Sequence, residues 1–301
     1  MSRAYLFVHF KGTESTPDDE QIYFAVSEDG LVWKNINGGM AVLRSEKGER
    51  GVRDPHIIRL RGGGFALIAT DLSIYSRRGM KDMWDDCQKR GSRCIAVWKS
   101  EDLVTWTEQK MIAVAAGNAG CAWAPEAVYD RARDEYMVFW ASKTAADGYR
   151  KQRIWRAYTQ DFESFSPAEL YIERQYSVID TTIAYKDGVY YRFTKNEDSK
   201  KVFLETSTDL NGRFWEKEEF SLRDEFGYEG PALCEMEDGG YMLYMDNFAS
   251  HEGYKPFYTD SLRSADFRPQ EGFSTPDIFR HGTVIPITRA EYDRITAAYG
   301  S

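Results

Sequence analysis

Short apolar stretches alternate with polar turns along the whole chain, and one pattern recurs five times. In each copy, an apolar stretch of strand length is followed by a turn containing Ser or Thr and Asp, and then by an aromatic residue. The side chains of such turns bond nearby backbone amides, and the aromatic residue is expected to pack beneath the turn. The five copies are Ile22–Trp33, Ile95–Trp106, Ile154–Phe165, Val202–Trp215 and Phe257–Phe267.

A second pattern precedes four of these copies. It consists of an apolar strand, a turn containing Gly or Asp, and another apolar strand. Together the two patterns predict units of four strands and roughly 40 to 50 residues, which is typical of β-propeller blades. The second pattern occupies residues Asp54–Thr70, Glu126–Trp140, Asp180–Phe193 and Glu229–Tyr244.

The two chain ends supply the parts of a fifth blade. His281–Ile287 is a lone C-terminal strand, and Ala4–Phe10 with Ile22–Trp33 can complete its sheet. Such pairing closes the ring and removes the open sheet edges of a linear array. The sequence therefore predicts an all-β fold, a five-bladed β-propeller with four-stranded blades, as a single domain over residues 1–301. Glu291–Tyr299 is expected to form a short helix outside the ring.

Charge and composition narrow the function classes. The chain has 48 acidic and 39 basic residues and a formal net charge of −9, which argues against nucleic acid as a partner.

No apolar run approaches the roughly 18 residues of a membrane-spanning helix, so no membrane partner is expected. The N-terminus lacks the apolar stretch of a signal peptide, which indicates a cytoplasmic protein. These features give no prediction of the oligomeric state.

The four cysteines show no paired spacing of the kind found in zinc sites. We expect free thiols in a reducing compartment, with pairing of Cys87 and Cys94 under oxidation as the alternative. Aromatic residues make up 15% of the chain. They suit half-buried strands and can also stack on sugar rings.

Acidic residues stand where the first strand of each predicted blade begins. In a propeller these strands line the central channel, and their starts lie at one mouth. The five starts carry Asp54, Glu126, Asp180, Glu229 and His281. Any one carboxylate could simply cap a strand, but burying four together is costly and indicates a chemical site. Paired carboxyl groups are the working parts of glycosidases, and a third can raise the pKa of the acid.

The motifs around these positions resemble glycoside hydrolase family 43. This is a family of five-bladed propellers that includes β-xylosidases, α-L-arabinofuranosidases and arabinanases, and it works by inversion with three carboxylates. The resemblance covers essentially the whole chain and places one motif in each blade, in order. The motifs are Val52–Pro55, Trp123–Glu126, Ile179–Asp180, Glu229–Pro231 and Arg280–Gly282.

The resemblance implies roles for individual residues. Asp54 corresponds to the general base, Asp180 to the residue that modulates the pKa and orients the acid, and Glu229 to the general acid. His281 resembles the axial histidine that in several members helps to hold a calcium ion and its waters. We expect that no cofactor is required. His281 is expected either to face a structural or activating calcium ion in the central channel or to be hydrogen-bonded within the protein. Glu126 departs from the Asp of many members, and it is expected to bond a sugar hydroxyl or to satisfy the backbone.

The substrate is expected to touch side chains at the channel mouth. Phe10 could stack on a ring, the insertion Tyr75–Arg93 carries Trp84, and Arg192 lies near a strand end. The complete set of expected substrate-binding residues is Phe10, Arg53, Trp84, Trp123, Glu126, Arg192 and His281.

These observations predict an inverting exo-glycosidase that removes terminal α-L-arabinofuranosyl or β-D-xylosyl residues from plant-type oligosaccharides. The ending Arg280–Val284 resembles furanosidases, which favours arabinofuranose slightly and leaves a β-D-galactofuranosidase as an alternative. A non-catalytic sugar-binding propeller is another alternative. A sialidase is disfavoured because the turn at Ser27–Trp33 is one residue short of the Asp-box spacing and no arginine triad can be placed.

Overall fold

Twenty strands build five four-stranded antiparallel sheets in the computed structural model, which describes residues 3–300. The sheet that joins the two chain ends contains β1 (Arg3–Phe10), β2 (Tyr23–Ser27), β3 (Lys34–Asn35) and β20 (Arg280–Thr288). The five sheets form the blades of a β-propeller, as predicted. Residues 1, 2 and 301 of the predicted domain lie outside the described residues.

The other four blades follow one another along the chain. The first contains β4 (Val52–Arg59), β5 (Phe65–Asp71), β6 (Cys94–Ser100) and β7 (Lys110–Ala113). The second contains β8 (Trp123–Asp130), β9 (Glu135–Ser142), β10 (Arg153–Thr159) and β11 (Glu169–Ile172). The third contains β12 (Val178–Lys186), β13 (Val189–Asn196), β14 (Lys201–Ser207) and β15 (Trp215–Glu216). The fourth contains β16 (Tyr228–Glu235), β17 (Tyr241–Asn247), β18 (Gly253–Thr259) and β19 (Arg268–Pro269).

The ring is closed by the pairing of the chain ends. β1 pairs antiparallel with β2 on one side and with β20 on the other, so that Leu6 lies opposite both Val26 and Ile285. β20 is thereby the inner strand of the closing blade, equivalent to β4, β8, β12 and β16 in strand order. This confirms the closure predicted from the sequence: the N-terminal and C-terminal strands share one blade.

The hydrophobic core lies between neighbouring blades. All seven residues of Phe65–Asp71 in β5 are buried, because a middle strand is covered on both faces when blades pack against each other. One core cluster joins Leu6 and Phe24 of the closing blade to Leu67 and Trp98 of the next blade. The packing of blades against each other therefore fixes where the inner strands meet.

The repeated turns have the predicted hydrogen bonds. Ser27 Oγ accepts from the Gly30 amide at 2.9 Å, and Asp29 Oδ1 accepts from the amide that follows, Leu31 N–H, at 2.8 Å. The aromatic residues after the turns do not all pack alike. Trp33 is buried, whereas Trp215 on the short outer strand β15 is 60% exposed under the Arg213 guanidinium. The expectation that every closing aromatic packs beneath its turn is therefore wrong for Trp215.

Within the described residues, two α-helices lie outside the sheets: α1 (Met83–Arg90), in the insertion after β5, and α2 (Arg289–Tyr299). The predicted C-terminal helix is confirmed but begins at Arg289, because Thr288 caps it by accepting from the Glu291 amide at 3.2 Å. Four short 3₁₀ helices occupy Pro17–Glu20, Asn37–Gly39, Tyr75–Arg77 and Ala145–Asp147.

Neither helix of the described chain is long and apolar enough to cross a membrane. Within residues 3–300 the four cysteines are free, and Cys87, Cys121 and Cys234 are buried. Burial raises the pKa of the Cys121 thiol to about 11, which keeps it protonated and unreactive near neutral pH.

Candidate active site

A cavity of about 750 Å³ opens at one mouth of the channel. Its wall includes Asp54, Asp180, Glu229 and His281, each from a different inner strand. Four of the five residues chosen at the strand starts are therefore brought together in one space. The fifth, Glu126, lies elsewhere.

The inner strands share a backbone irregularity at this end. β4, β8, β12 and β16 each shift register against the next strand near their first residues. A residue with positive φ stands at each shift: Asp54 at 51°, Ala124 at 47°, Asp180 at 51° and Gly230 at 51°. Such bulges bend a strand and re-aim its side chains. This local geometry places Asp54 and Asp180 on the cavity wall.

Asp54 is held by a hydrogen bond within its own blade. Its Oδ2 accepts from Thr70 Oγ1 at 2.8 Å, and Thr70 Oγ1 itself accepts from the Ala124 amide at 2.8 Å. The other oxygen, Oδ1, lies 3.4 Å from Nδ1 of His281. One edge of the carboxylate is thus fixed by a hydroxyl while the group still borders the cavity.

Asp180 is more deeply buried. Its Oδ2 accepts a long hydrogen bond from the Gly230 amide at 3.4 Å, and its Oδ1 lies 3.8 Å from His281 Nδ1. Burial raises the pKa of Asp180 to about 6, against the opposing effect of the nearby His281 and Lys195 charges. For His281, burial disfavours the imidazolium, but the surrounding carboxylates, Asp180 and Asp54 foremost, together outweigh burial and leave the pKa of His281 above its ordinary value.

Glu229 lies between two cations. Lys195 Nζ is 2.7 Å from its Oε2, and Arg280 Nη2 is 3.1 Å from its Oε1. Burial alone would raise its pKa, but Lys195 and Arg280 outweigh burial and hold the pKa of Glu229 below its ordinary value. Arg280 is fixed in turn, since its Nε donates to Asp246 Oδ2 at 2.6 Å.

The sequence pattern did not point to Lys195 or Asp246, and it assigned no role to Arg280. Lys195 and Asp246 stand near the ends of the second strands β13 and β17, at the same mouth as the acidic residues. A charged residue near the end of each of these strands was the available signal. Lys195 pairs with Glu229, and Asp246 pairs with Arg280, which also bonds Glu229. These contacts depend on how the third, fourth and closing blades meet, which the strand pattern does not specify.

Glu126 lies below the cavity, not on its wall. It is two residues beyond Ala124, and its Oε2 is 3.4 Å from Nδ1 of His56. Burial raises the pKa of Glu126 to about 8, although a hydrogen bond with Thr182 opposes the shift. Burial also lowers the pKa of His56 to about 3, so the two side chains form a neutral pair at neutral pH. The Glu126 carboxyl group is therefore buried and paired with protein groups, and it does not lie where it could contact a sugar hydroxyl.

Phe10 does not reach the cavity, contrary to expectation. It is 1% exposed, and the Arg53 guanidinium covers its ring at 4.6 Å from the centroid. Arg53 itself borders the cavity, and its Nη1 donates to Glu14 at 2.9 Å and to Glu20 at 3.0 Å. The Arg53 guanidinium therefore occupies the face of the Phe10 ring on which a sugar was expected to stack.

Arg192 is also absent from the cavity wall, which corrects the expectation of a sugar contact. Its Nε and Nη2 donate to Glu205 Oε2 at 3.1 and 2.8 Å, and its guanidinium lies 3.8 Å from the Phe214 ring centroid. Side chains alternate along a strand, so Arg192 and Lys195, three residues apart on β13, point to opposite faces. Lys195, not Arg192, faces the site.

Aromatic side chains form part of the wall. Trp84 of α1 is 42% exposed and meets Trp123 edge to face, with ring centroids 6.2 Å apart. Both border the cavity, as does Phe248 after β17. Arg53, Trp84, Trp123 and His281, four of the residues expected to bind substrate, all border the cavity, and their contact with a sugar stays a prediction.

The site does not fit a calcium ion held directly by protein groups. Calcium takes six to eight oxygen ligands. In residues 3–300 no three His, Cys, Asp or Glu side chains are placed to hold a metal ion. His281 instead faces two carboxylates that favour its charged form, which repels a cation. An ion held by His281 through waters stays a prediction, and no step below depends on it.

Comparisons with known proteins agree with this fold. A family sequence model described as "Probable glycosyl hydrolase domain", related to glycoside hydrolase family 43, matches residues 1–293. A protein of Bifidobacterium longum subsp. longum named alpha-L-arabinofuranosidase is 30% identical over 305 residues. That match covers 85% of this chain but 28% of the relative, so the chain spans less than a third of the relative's length.

Solved structures share the architecture. A thermostable family-43 glycoside hydrolase matches with a TM-score of 0.53 and 17% identity, over 76% of this chain and 74% of that one. An alpha-L-arabinanase of Penicillium chrysogenum complexed with arabinobiose matches with a TM-score of 0.55 and 13% identity, over 87% and 75%. At these identities the structures establish the fold alone. The family match over nearly the whole chain shows that this protein belongs to the glycosyl hydrolases related to glycoside hydrolase family 43.

Proposed function

We propose that the chain is an inverting, exo-acting α-L-arabinofuranosidase that removes terminal arabinofuranose from oligosaccharides. The observation that carries this proposal is the convergence of Asp54, Asp180 and Glu229, from three blades, on one cavity of about 750 Å³. Structural packing has no need of three carboxylates in one space. The choice of arabinofuranose is supported by the 30% identical relative named alpha-L-arabinofuranosidase.

In the proposed reaction, Asp54 is the general base. It takes a proton from a water whose oxygen bonds to the anomeric carbon, while the bond from that carbon to the glycosidic oxygen breaks. Glu229 delivers its proton to the departing oxygen. The Thr70 hydroxyl holds one oxygen of Asp54, so the base keeps its direction through the reaction.

Asp180 is proposed to tune the acid. Its carboxyl group is bound to the backbone of Gly230, the residue after Glu229, and it interacts with the Glu229 charge. The negative charge of a nearby Asp180 carboxylate raises the proton affinity of Glu229 and opposes the effect of Lys195 and Arg280. The arrangement gives each carboxyl group a different environment, as acid–base pairs require.

The rim is proposed to hold the remainder of the oligosaccharide. The terminal sugar lies against the carboxylates, and the following sugar packs on Trp84 beside Trp123. Exposed indole faces suit the apolar faces of sugar rings. This arrangement explains why an exposed tryptophan is carried by a helix that has no part in the ring.

A substrate panel tests the proposal. Purified protein is assayed with p-nitrophenyl α-L-arabinofuranoside, β-D-xyloside and β-D-galactofuranoside, with and without EDTA, and proton NMR records the first product anomer. We expect the arabinofuranoside to be hydrolysed fastest, with the anomeric configuration inverted. Preference for either other sugar would overturn the substrate choice, and a retained configuration would overturn the mechanism. Sugar binding by calorimetry without turnover of any glycoside would indicate a binding protein.

A further inference from the structure

Lys195 is a buried lysine shared between two carboxylates. Its side chain is 2% exposed, and its Nζ lies 2.7 Å from Glu229 Oε2 and 2.7 Å from Glu197 Oε2. The Phe248 ring lies against the ammonium, with its centroid 4.4 Å from Nζ. A lysine is rarely buried unless its charge is paired. Here one partner is Glu229, the proposed acid, and the other is Glu197, which has no part in the proposed reaction.

Glu197 is a residue of the cavity wall, and its side chain is 31% exposed. It also pairs with Lys200, which borders the same cavity. The Lys195 ammonium therefore stands between the proposed acid and a carboxylate at the rim. A glycan that enters the cavity passes both.

Other charges around Glu229 are less free to change partners. Arg280 bonds Glu229 from β20, but it is also fixed to the fully buried Asp246 of β17. His281, Asp180 and Asp54 face the same region from the inner strands β20, β12 and β4. Lys195 is thus the cation beside Glu229 whose second carboxylate partner, Glu197, lies on the cavity wall.

This arrangement bears on how the proposed acid obtains its proton. A carboxyl group can protonate a glycosidic oxygen only if it holds a proton, and two adjacent cations oppose that state. Movement of the ammonium from Glu229 toward Glu197 would relieve the part of this opposition that Lys195 supplies, without exposing the lysine to water.

We propose that Lys195 is a positioning residue for the acid: as a glycan fills the cavity, its ammonium moves toward Glu197, and Glu229 then takes up a proton from solvent. That proton leaves on the glycosidic oxygen, after which the ammonium returns to Glu229. This inference rests on the proposed role of Glu229 as the acid.

Two variants test it by shifting the pH dependence of kcat/KM in opposite directions. The alkaline limb of this pH profile, where kcat/KM falls as the pH rises, reports loss of the proton from the acid in the free enzyme. Lys195→Met removes a cation from Glu229, so the limb moves to higher pH, by about one unit or more. Glu197→Gln leaves Lys195 with Glu229 alone, so the limb moves to lower pH. Lys195→Arg keeps the charge and restores the limb toward the wild-type position.

The movement itself has a separate signature. In the wild type the alkaline limb of kcat, which reports the complex, lies at higher pH than that of kcat/KM. In Glu197→Gln this difference disappears, because the ammonium has no second partner. A purely structural Glu197 would change rates without removing the difference.

A measurement on the free protein separates this inference from the proposed function. Titration of ¹³C-labelled glutamate side chains by NMR, with Glu229 assigned through Glu229→Gln, gives its pKa without any substrate. We expect the same opposite shifts there, even if no glycoside in the panel is hydrolysed. In that case the proposed function fails while the effect of Lys195 and Glu197 on Glu229 stands.

The chain offers a matched control pair. Lys186 and Glu235 form an ion pair at 3.3 Å, half exposed and away from the cavity wall. Lys186→Met and Glu235→Gln make the same charge changes and are expected to leave both limbs within about 0.2 units, as for screened surface charges. Shifts of equal size in the control pair, shifts of one sign in both test variants, or no shift in Glu197→Gln would each overturn the inference.

Discussion

Asp54 and Asp180 occupy equivalent positions in two blades, with the same φ of 51°, and their Oδ1 atoms face one nitrogen, His281 Nδ1, at 3.4 and 3.8 Å. A positive φ is uncommon for residues other than glycine, and such conformations concentrate at functional sites. At the matching positions of two further blades stand Ala124 and Gly230, which have no polar side chain. The same backbone bulge therefore carries a carboxylate in two of these four blades and no polar side chain in the other two.

Asp54→Asn should abolish most of the turnover. The amide cannot accept the proton of the attacking water, so kcat is expected to fall by about 10² to 10⁴, the usual contribution of a general base. Thr70 can still donate to the amide oxygen, so the fold and sugar binding should persist. Steady-state kinetics with isothermal titration of arabinose-containing oligosaccharides checks both.

The control for this variant is Asp224→Asn, since Asp224 pairs with Lys201 at the exposed surface. It should retain activity within about twofold, as expected for an exposed ion pair. If Asp54→Asn retained a tenth or more of wild-type kcat, Asp54 would not be the base.

Glu229→Gln should be sensitive to the leaving group. Departure of p-nitrophenolate needs little protonation, whereas a sugar alkoxide needs a proton from the acid. The variant should therefore lose at least tenfold more activity on an arabinose-containing oligosaccharide than on p-nitrophenyl α-L-arabinofuranoside. Equal losses on the two substrates would contradict a proton-donor role. Thermal unfolding must be recorded in parallel, because the change also weakens the pairing with Lys195 and Arg280.

Much of the fold follows from the sequence because its signals are local. A turn such as Ser27–Asp29 bonds its own backbone, and the apolar runs that flank it have strand length, so blades can be counted along the chain. The carboxylates of Asp54, Asp180 and Glu229 were found because a closed ring brings the starts of its inner strands together.

The remainder of the site depends on geometry that no local pattern carries. Glu126 follows a bulge at Ala124, which sets it below the cavity, whereas Glu229 precedes the bulge residue of its own strand and stays at the mouth. Phe10 was placed correctly at a strand end, but Arg53 of the next blade covers it. Lys195 could not be paired with Glu229 from the sequence, because the two lie on different blades.

Glu20 should be important for stability. It is fully buried, and its carboxylate accepts from Arg53 Nη1 at 3.0 Å, Ser73 Oγ at 2.8 Å and the Ile74 amide at 2.7 Å. Glu20→Ala leaves the Ser73 hydroxyl and the Ile74 amide without this acceptor and Arg53 with Glu14 alone. The free energy of unfolding should fall by about 3 to 5 kcal/mol, the usual cost of breaking a buried ion pair. Urea unfolding measures the change.

A matched glutamate at the surface gives the comparison for Glu20. Glu28 pairs with Arg289 at 3.1 Å with both side chains exposed, so Glu28→Ala should change stability by about 1 kcal/mol or less. Equal effects of the two substitutions would show that the Glu20 network contributes no more than a surface pair. The Glu20 variant should also raise KM for oligosaccharides, because the segment that it holds leads into the insertion carrying Trp84.

Glu126→Gln should change how stability depends on pH. An unfolded glutamate has a pKa near 4.3, whereas burial raises the pKa of Glu126 to about 8 in the folded protein. Between these values the folded state retains a proton that the unfolded state has lost, so the stability contributed by this group is full below about pH 4 and falls as the pH rises toward 8. Gln does not titrate, so the variant should gain stability relative to wild type across this window, by at most about 1.4 kcal/mol per pH unit.

The neighbouring His56 affects both proteins alike and does not obscure this comparison. Its lowered pKa costs stability as the pH falls below about 6.5, and that effect is present with either Glu or Gln at position 126. Thermal unfolding of the two proteins at pH 5, 6.5 and 8 therefore isolates Glu126. A difference in stability that does not change with pH would mean that Glu126 is ionised in the folded protein, with water or a cation beside it in the channel.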